Sequence, residues 1–322
     1  LGVGGNTNML VSVGNRGHLM TSHNSWTNVV TQNQQGKSVT NRVNTLGIFW
    51  NAVEPALTEN DLQGVTVLND TWVVTGGKGT VLTTKDGKKW VKYQAPTSGI
   101  LTSVDAFGEY FVAVGEYGVI LTSPDGAEWT RQTSGTDQWI YRVRAFGDQL
   151  VAVGQAGTIL TSVDGETWVR RDSGTSQWLN DVTRVGDMWF VVGANGTVLT
   201  SPDLESWQSK GVITGLSLYG ALASDGQLLS VGLEGIILRK QVVPRSTPIL
   251  IRWDRSAGED GGFNNQFVFR GFPGQRFTLD RSPDLMQWET GPELELIDGA
   301  GVLEYTNTTK APQEFYRAQL IR

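Results

Sequence analysis

Few residues in this chain have types and spacing suited to acid–base work. Asp181 can be paired with Glu116, Asp137 or Glu234, with Tyr141 and Arg142 beside it. Two carboxylates about 5–10 Å apart are what glycosidic-bond cleavage needs, one as acid and one as base or nucleophile. Another set of acids recurs too evenly for that role. Asp86, Asp125, Asp164 and Asp203 are four equivalent residues spread along the chain, and equivalent acids held far apart do not make one catalytic centre. A third set suits binding. Trp139 and Trp178 each follow a Gln, and aromatic faces accept sugar rings, apolar side chains and cations. Tyr117, Phe49, Trp50 and Arg16 join them as ligand-binding candidates. The alternative is that each Trp plugs a groove between neighbouring elements.

Signals for other chemistries are missing from the sequence. It has no G-x-S-x-G, no H-E-x-x-H and no phosphate loop, so the corresponding hydrolase, zinc-protease and nucleotide readings have no support. His18 and His23 stand five apart on or just after a strand, on opposite faces, which is wrong for a shared metal. No metal site or cofactor is expected. Glu259 and Asp260 beside Asn264 and Asn265 offer the oxygen ligands that Ca²⁺ prefers, and a solvated loop is the other reading of that segment.

The elements that must position these residues follow from a repeat. GEYGVILTSPDGAEW (115–129), GQAGTILTSVDGETW (154–168) and GANGTVLTSPDLESW (193–207) are successive copies. The first glycine of each G-x-x-G keeps a 39-residue step through Gly76, Gly115, Gly154, Gly193 and Gly232, and Gly14 precedes Gly76 by 62. One unit therefore carries extra residues, expected within Thr31–Leu62. Each unit reads as four short strands. Around Gly154 they are Tyr141–Ala145, Gln149–Val153, Thr158–Ser162 and Thr167–Arg171, supported by alternation and β-branched content. The G-x-x-G is a tight hairpin. One such unit cannot bury both of its faces, so units must stack around an axis as propeller blades. Six are expected, starting near Leu1, Gly64, Leu101, Ile140, Leu179 and Leu218. The last lacks the Asp and Trp of the others, so its outer strand must come from Gln241–Arg245 or elsewhere.

The copies TKDGKKW (84–90), SPDGAEW (123–129), SVDGETW (162–168) and SPDLESW (201–207) resemble the Asp-box of bacterial neuraminidase-type repeats, one residue shorter than its usual S-x-D-x-G-x-x-W. The repeat region, 1–240, is also similar to the propellers of photosystem II assembly factors. A short carboxylate in a hairpin accepts bonds from turn N–H groups, so the recurring Asp residues are read as structural. The arginines do not recur where a sialidase triad would need them. The tips of the G-x-x-G hairpins and the segments between units, SGTDQWIYR (134–142) and SGTSQWLND (173–181), are placed on one face. The Asp turns are placed on the other.

The repeat stops at Val243. GQRFTLDRSPDLMQW and APQEFYRAQL (274–288, 311–320) resemble the small C-terminal β-sandwich of many secreted bacterial proteins, which implies export and attachment or sorting at the cell surface. SPDLMQW looks like one more Asp turn rather than a further blade.

Composition narrows the classes. A net charge of −6 with no basic block speaks against a nucleic-acid partner. No apolar run approaches the roughly 18 residues of a membrane span. A chain of 322 residues without Cys can bury a large core without disulfides. A first residue other than Met would be explained by a removed leader or by a trimmed chain alike. The expectation is an all-β protein: a six-bladed propeller (1–243, insert within 31–62) and a small β-sandwich (244–322). Its expected role is non-catalytic binding of an extracellular glycan or protein. The alternatives are a glycoside hydrolase or lyase and an assembly or scaffold subunit.

Overall fold

The 39-residue rhythm sets up a row of antiparallel sheets. The structure, a computed structural model, describes residues 2–32, 37–224, 226–242, 249–258, 262–270, 276–284, 286–295, 302–309 and 314–320. Sheet one comprises Gly2–Gly5, Met9–Val13, Leu19–His23 and Asn51–Ala52. Sheet two is Leu62–Leu68, Thr71–Gly76, Thr80–Thr84 and Val91–Gln94, and sheet three is Leu101–Phe107, Tyr110–Gly115, Ile120–Ser123 and Thr130–Gln132. Sheet four is Ile140–Phe146, Gln149–Gly154, Ile159–Ser162 and Val169–Arg171, within two residues of the strands expected from sequence. Sheet five is Leu179–Val185, Met188–Gly193, Thr197–Ser201 and Gln208–Val212. Sheet six, Leu218–Ser224, Gln227–Gly232 and Ile237–Gln241, has three strands among the described residues. The outer strand expected from Gln241–Arg245 or elsewhere falls largely outside the described residues. Gln241 ends the third strand, and 243–248 lie outside the described residues.

Contacts divide the chain into two compact units. One holds Leu1–Thr183, Trp189–Ala221 and Ser230–Ile237; the other holds Arg184–Met188, Leu222–Leu229 and Leu238–Arg322. In the first, cores fill the spaces between successive sheets. Val112, Val114 and Ile120 of sheet three meet Val143, Leu150, Ala152 and Leu160 of sheet four. Val151, Val153 and Ile159, on the opposite face of sheet four, meet Val182, Trp189, Val191 and Leu199 of sheet five. The second strand, QLVAVG, is thus covered on both faces. Its side chains still alternate in direction, but both directions are apolar, so it reads as a continuous run. Each such Val or Leu contributes about 1.5–3 kcal/mol by burial.

Among the described residues, the C-terminal part of the second unit forms two three-stranded sheets. Ile249–Ala257, Phe263–Arg270 and Val302–Thr309 form one; Glu293–Glu295, Arg276–Ser282 and Phe315–Leu320 form the other. Phe267 and Phe269 of the first meet Phe277 and Leu279 of the second.

The extra residues of the first repeat lie earlier than expected. In sheet four, Ser162 Oγ accepts from Gly165 N at 2.8 Å, and Trp168 Nε1 donates to Gly165 O at 2.9 Å. In sheet one, Ser22 Oγ accepts from Gly47 N at 2.8 Å, and Trp50 Nε1 donates to Gly47 O at 3.1 Å. Ser22, Gly47 and Trp50 therefore form the turn of sheet one. A two-stranded hairpin, Trp26–Gln32 with Ser38–Asn44, is spliced into it. The insertion lies between Ser22 and Gly47 rather than within 31–62.

Candidate functional site

Six hairpin tips share one geometry. Arg16, Lys78, Tyr117, Ala156, Asn195 and Glu234 all have φ between 52° and 57°, and a residue of positive φ follows each. This is the two-residue type I′ pattern that matches strand twist. The glycines around the tip fasten the next segment. A Cβ on Gly154 would lie 2.1 Å from Trp139 O, and one on Gly157 (φ 68°) would lie 1.9 Å from Thr175 O. Gln155 N donates to Trp139 O and Gly157 N to Gln177 O, both at 2.8 Å. Ala194 N of the next tip donates to Trp178 O at 2.8 Å. The backbones of Trp139 and Trp178 are thus held by the tips, on the same side as the tips.

Three of the aromatic rings on that side meet. Tyr141 lies with its ring centroid 6.4 Å from Trp139 and 6.0 Å from Trp178, at interplanar angles of 61° and 49°. Trp178 is 52% exposed, so it does not plug a groove; Trp139 and Tyr141 are half-buried. Burial pushes the Tyr141 hydroxyl pKa up. Tyr117 stands exposed at the tip of sheet three. Arg16 occupies the matching tip of sheet one, its N–H held by Asp61 Oδ1 at 2.8 Å. Phe49 and Trp50 are placed differently. They belong to the Ser22–Trp50 turn, at the opposite strand ends from the tips, so they do not join the trio.

The innermost strands carry a polar ladder. The half-buried Asp105 accepts from Ala106 N at 2.8 Å, Ala145 N at 2.9 Å and Thr66 Oγ1 at 3.3 Å. Burial raises its pKa, partly offset by the backbone donors and Arg144. Arg144 donates to both oxygens of Asp181, at 2.8 and 2.7 Å. Asp181 also accepts from Val182 N and Ala221 N at 2.9 Å, and Arg142 Nε lies 3.5 Å away. Each bond that crosses between strands ties one sheet to the next. Asp181 is buried with both oxygens engaged, so none of its three pairings leaves an oxygen for a substrate. Glu116 Oε2 accepts from Ile100 N at 2.9 Å, and the exposed Asp137 accepts from Gln138 at 2.9 Å. Glu234 is exposed at its own tip. Sequence reasoning passed over Asp105 and Arg144. The available signal was their 39-residue separation, at an inward-facing position of adjacent innermost strands.

The recurring Asp residues build the opposite turns. Asp164 Oδ1 accepts from Glu166 N at 2.9 Å, Thr167 N at 2.7 Å and Ser162 Oγ at 3.0 Å. The Thr167 N–H is the largest influence holding its pKa down to about 2; desolvation opposes it, and the Glu166 N–H and Ser162 hydroxyl add to the lowering. Asp86, Asp125 and Asp203 repeat the arrangement. So does Asp284 in the second unit, which accepts from Met286 N and Gln287 N.

Residues 47–179 match the family described as the DUF6242 beta propeller domain. The solved structure "YCF48 bound to D1 peptide" superposes with a TM-score of 0.58 at 15% identity, covering 84% of this chain and 88% of that one. The fold is a β-propeller. YCF48 from Cyanidioschyzon merolae gives 0.50 at 17% identity, over 72% of this chain and 91% of that one. The computationally designed Ika8 protein gives 0.53 at 10% identity, over 99% of this chain and 95% of that one. No curated protein matches the chain. At such identities the likeness speaks for the propeller and leaves the site to its own chemistry.

Among the described residues, no three His, Asp or Glu side chains cluster as metal ligands would, and no helix is long and apolar enough to cross a membrane. Glu259 and Asp260, the acids of the conceivable Ca²⁺ loop, lie outside the described residues.

Proposed function

We propose that this propeller is a non-catalytic binding protein that takes an extended segment of a partner protein on its tip face. Trp139, Tyr141 and Trp178 are the anchors, with Tyr117 and Arg16 at the rim. The observation that carries the reading is the trio itself. Tyr141 meets both tryptophans, Trp178 stays 52% exposed, and the backbone beneath is clamped by the Gly154–Gly157 and Gly193–Gly196 tips. Rigid, half-buried aromatic rings lose little entropy on binding and dominate interface energetics. The YCF48 structure of similar fold is described as bound to a peptide, which supports a protein partner over a glycan. The engagement of both Asp181 oxygens weighs against the glycosidase alternative. In the same reading the six sheets are six blades within 1–243, and the two C-terminal sheets are a small sandwich within 244–322. That sandwich's resemblance supports an exported bacterial protein.

The test is to pan a peptide display library and a glycan array side by side with wild type and Trp178→Ala. An enriched peptide family whose affinity falls about 30-fold in Trp178→Ala, or roughly 2 kcal/mol, is the expected result. Binding to glycans alone would replace the protein partner with a sugar. Peptide binding unchanged by Trp178→Ala would move the site elsewhere, and no binding on either array would overturn the reading.

A further inference from the structure

The turn side of sheets one and two differs from that of sheets three to five. Each turn places two residues just before its Trp. They are Ala127-Glu128, Glu166-Thr167 and Glu205-Ser206 in sheets three to five, with one Glu in each pair. In sheet two the pair is Lys88-Lys89, and in sheet one it is Ile48-Phe49. Lys85 adds a third base to the sheet-two turn, against the single acid Asp86. Each of the next three turns carries two acids and no base. From Met9 to Val53 the chain has no Asp or Glu, although its net charge is −6.

These features adjoin one another. A Cβ on Gly87 would lie 2.3 Å from Met9 Sδ and 3.0 Å from His23 Cε1, so the lysine turn rests against a strand end of sheet one. The spliced hairpin leaves from that end. At its root, Thr45 N donates to Ser25 O, and Thr45 O accepts from Ile48 N and Phe49 N at 3.1 and 3.0 Å. Register puts Trp26, Val30, Thr40 and Arg42 on one face of the hairpin, where all four are exposed. Thr27, Val29 and Val43, on the other face, are half-buried. Arg42 lies over the Trp26 ring, 5.2 Å from its centroid. Trp26, Val30, Ile48 and Phe49 are between 46% and 64% exposed. The sheet-one turn bonds through the Ile48 and Phe49 N–H groups, so it does not need their apolar side chains. Single exposed apolar residues are ordinary. Four around one hairpin root, rimmed by bases, mark an interaction site.

We propose that this turn side docks on a membrane surface bearing anionic headgroups. Lys85, Lys88, Lys89 and Arg42 supply the attraction, and Trp26, Val30, Ile48 and Phe49 enter the headgroup region. Charge complementarity selects an anionic partner. The apolar residues stand on a turn and a hairpin face, which can enter a fluid surface without a matching pocket in the partner. Bases mixed with Trp and aliphatic residues are the pattern of interfacial attachment. The surface lies at the strand ends opposite the tips, so it is separate from the proposed peptide site.

The test is flotation of the full chain with vesicles of phosphatidylcholine alone and of equal parts phosphatidylcholine and phosphatidylserine. Binding to the mixed vesicles only is expected, and it should be lost as salt rises toward about 0.5 M. Lys85→Gln, Lys88→Gln and Lys89→Gln together should weaken it about a hundredfold, roughly fivefold for each charge. Lys→Arg changes at the same three positions should leave it intact. Trp26→Ser and Phe49→Ser should each weaken it about tenfold. Unchanged melting temperatures would show that the variants fold. The chain has no Cys, so an environment-sensitive dye on Val30→Cys reports that position alone. Its emission should shift to the blue on the mixed vesicles. The same dye on Asp137→Cys, exposed on the tip side, should not shift. Four results overturn the proposal: no binding to either vesicle, equal binding to both, binding indifferent to the Lys→Gln changes, or a dye at position 30 that stays in water. Lysine-dependent capture of polyglutamate by a chain that ignores vesicles would give the surface to an acidic protein instead.

Discussion

Two aspartates separated by 17 positions do opposite kinds of work. Asp181 is buried and accepts from Arg144 twice and from two backbone N–H groups. Asp181→Ala would leave the Arg144 charge and the Ala221 N–H unpaired, so the variant should lose about 3–5 kcal/mol, read from urea unfolding. Asp164 is solvent-facing and stabilises through turn N–H groups. Its folded pKa, about 2, lies below the unfolded value of 3.8, and Asp86, Asp125 and Asp203 are lowered for the same reason. A depressed carboxyl contributes fully above its unfolded pKa and loses that contribution as pH falls through the folded value. Melting temperature should therefore fall between about pH 4 and pH 2. Asp164→Ala should flatten part of that fall, at a cost near neutral pH of about 1 kcal/mol after solvent screening. A melt at pH 4 and pH 2 for each chain would check both.

At the scale of elements, turns decide position. Gly157 holds φ 68° with Thr175 O in the space of a Cβ, and its N–H holds Gln177 O. Gly157→Ala should cost more than about 1 kcal/mol. It should also weaken peptide binding through the displaced Trp178, although no anchor is altered. Calorimetric unfolding and titration on the same protein separate the two effects. The spliced hairpin gives the converse case. Deleting Asn24–Thr45 joins Ser22-His23 to Leu46-Gly47-Ile48-Phe49-Trp50, the same length as Ser162 to Trp168. The sheet-one turn keeps its hydroxyl, glycine and Trp but loses Thr45 O, which accepts from Ile48 N and Phe49 N, so the deletion should cost about 1–2 kcal/mol, a fall in melting temperature of a few degrees. The position of this insertion was hidden in the sequence because Trp26 also follows a Ser and imitates the turn Trp. Only the bond from Trp50 to Gly47 shows which Trp closes the turn.

At the scale of the whole molecule, repetition made the architecture readable. A fixed step of 39 residues places equivalent side chains on equivalent strands. From that step come the four-stranded units, the two-sided burial of the second strand, the opposed faces of tips and Asp turns, and the structural role of Asp86, Asp125, Asp164 and Asp203. Each of these depends on contacts within one repeat or between adjacent ones, and local periodicity encodes such contacts. The tertiary structure alone decided the rest. It turned Trp178 outward and brought Tyr141 between two tryptophans. It carried Phe49 and Trp50 to the turn side, and it filled Asp181 with Arg144. Those outcomes depend on which side chains meet across strands far apart in the chain and on what covers a face, and a one-dimensional repeat carries no record of either.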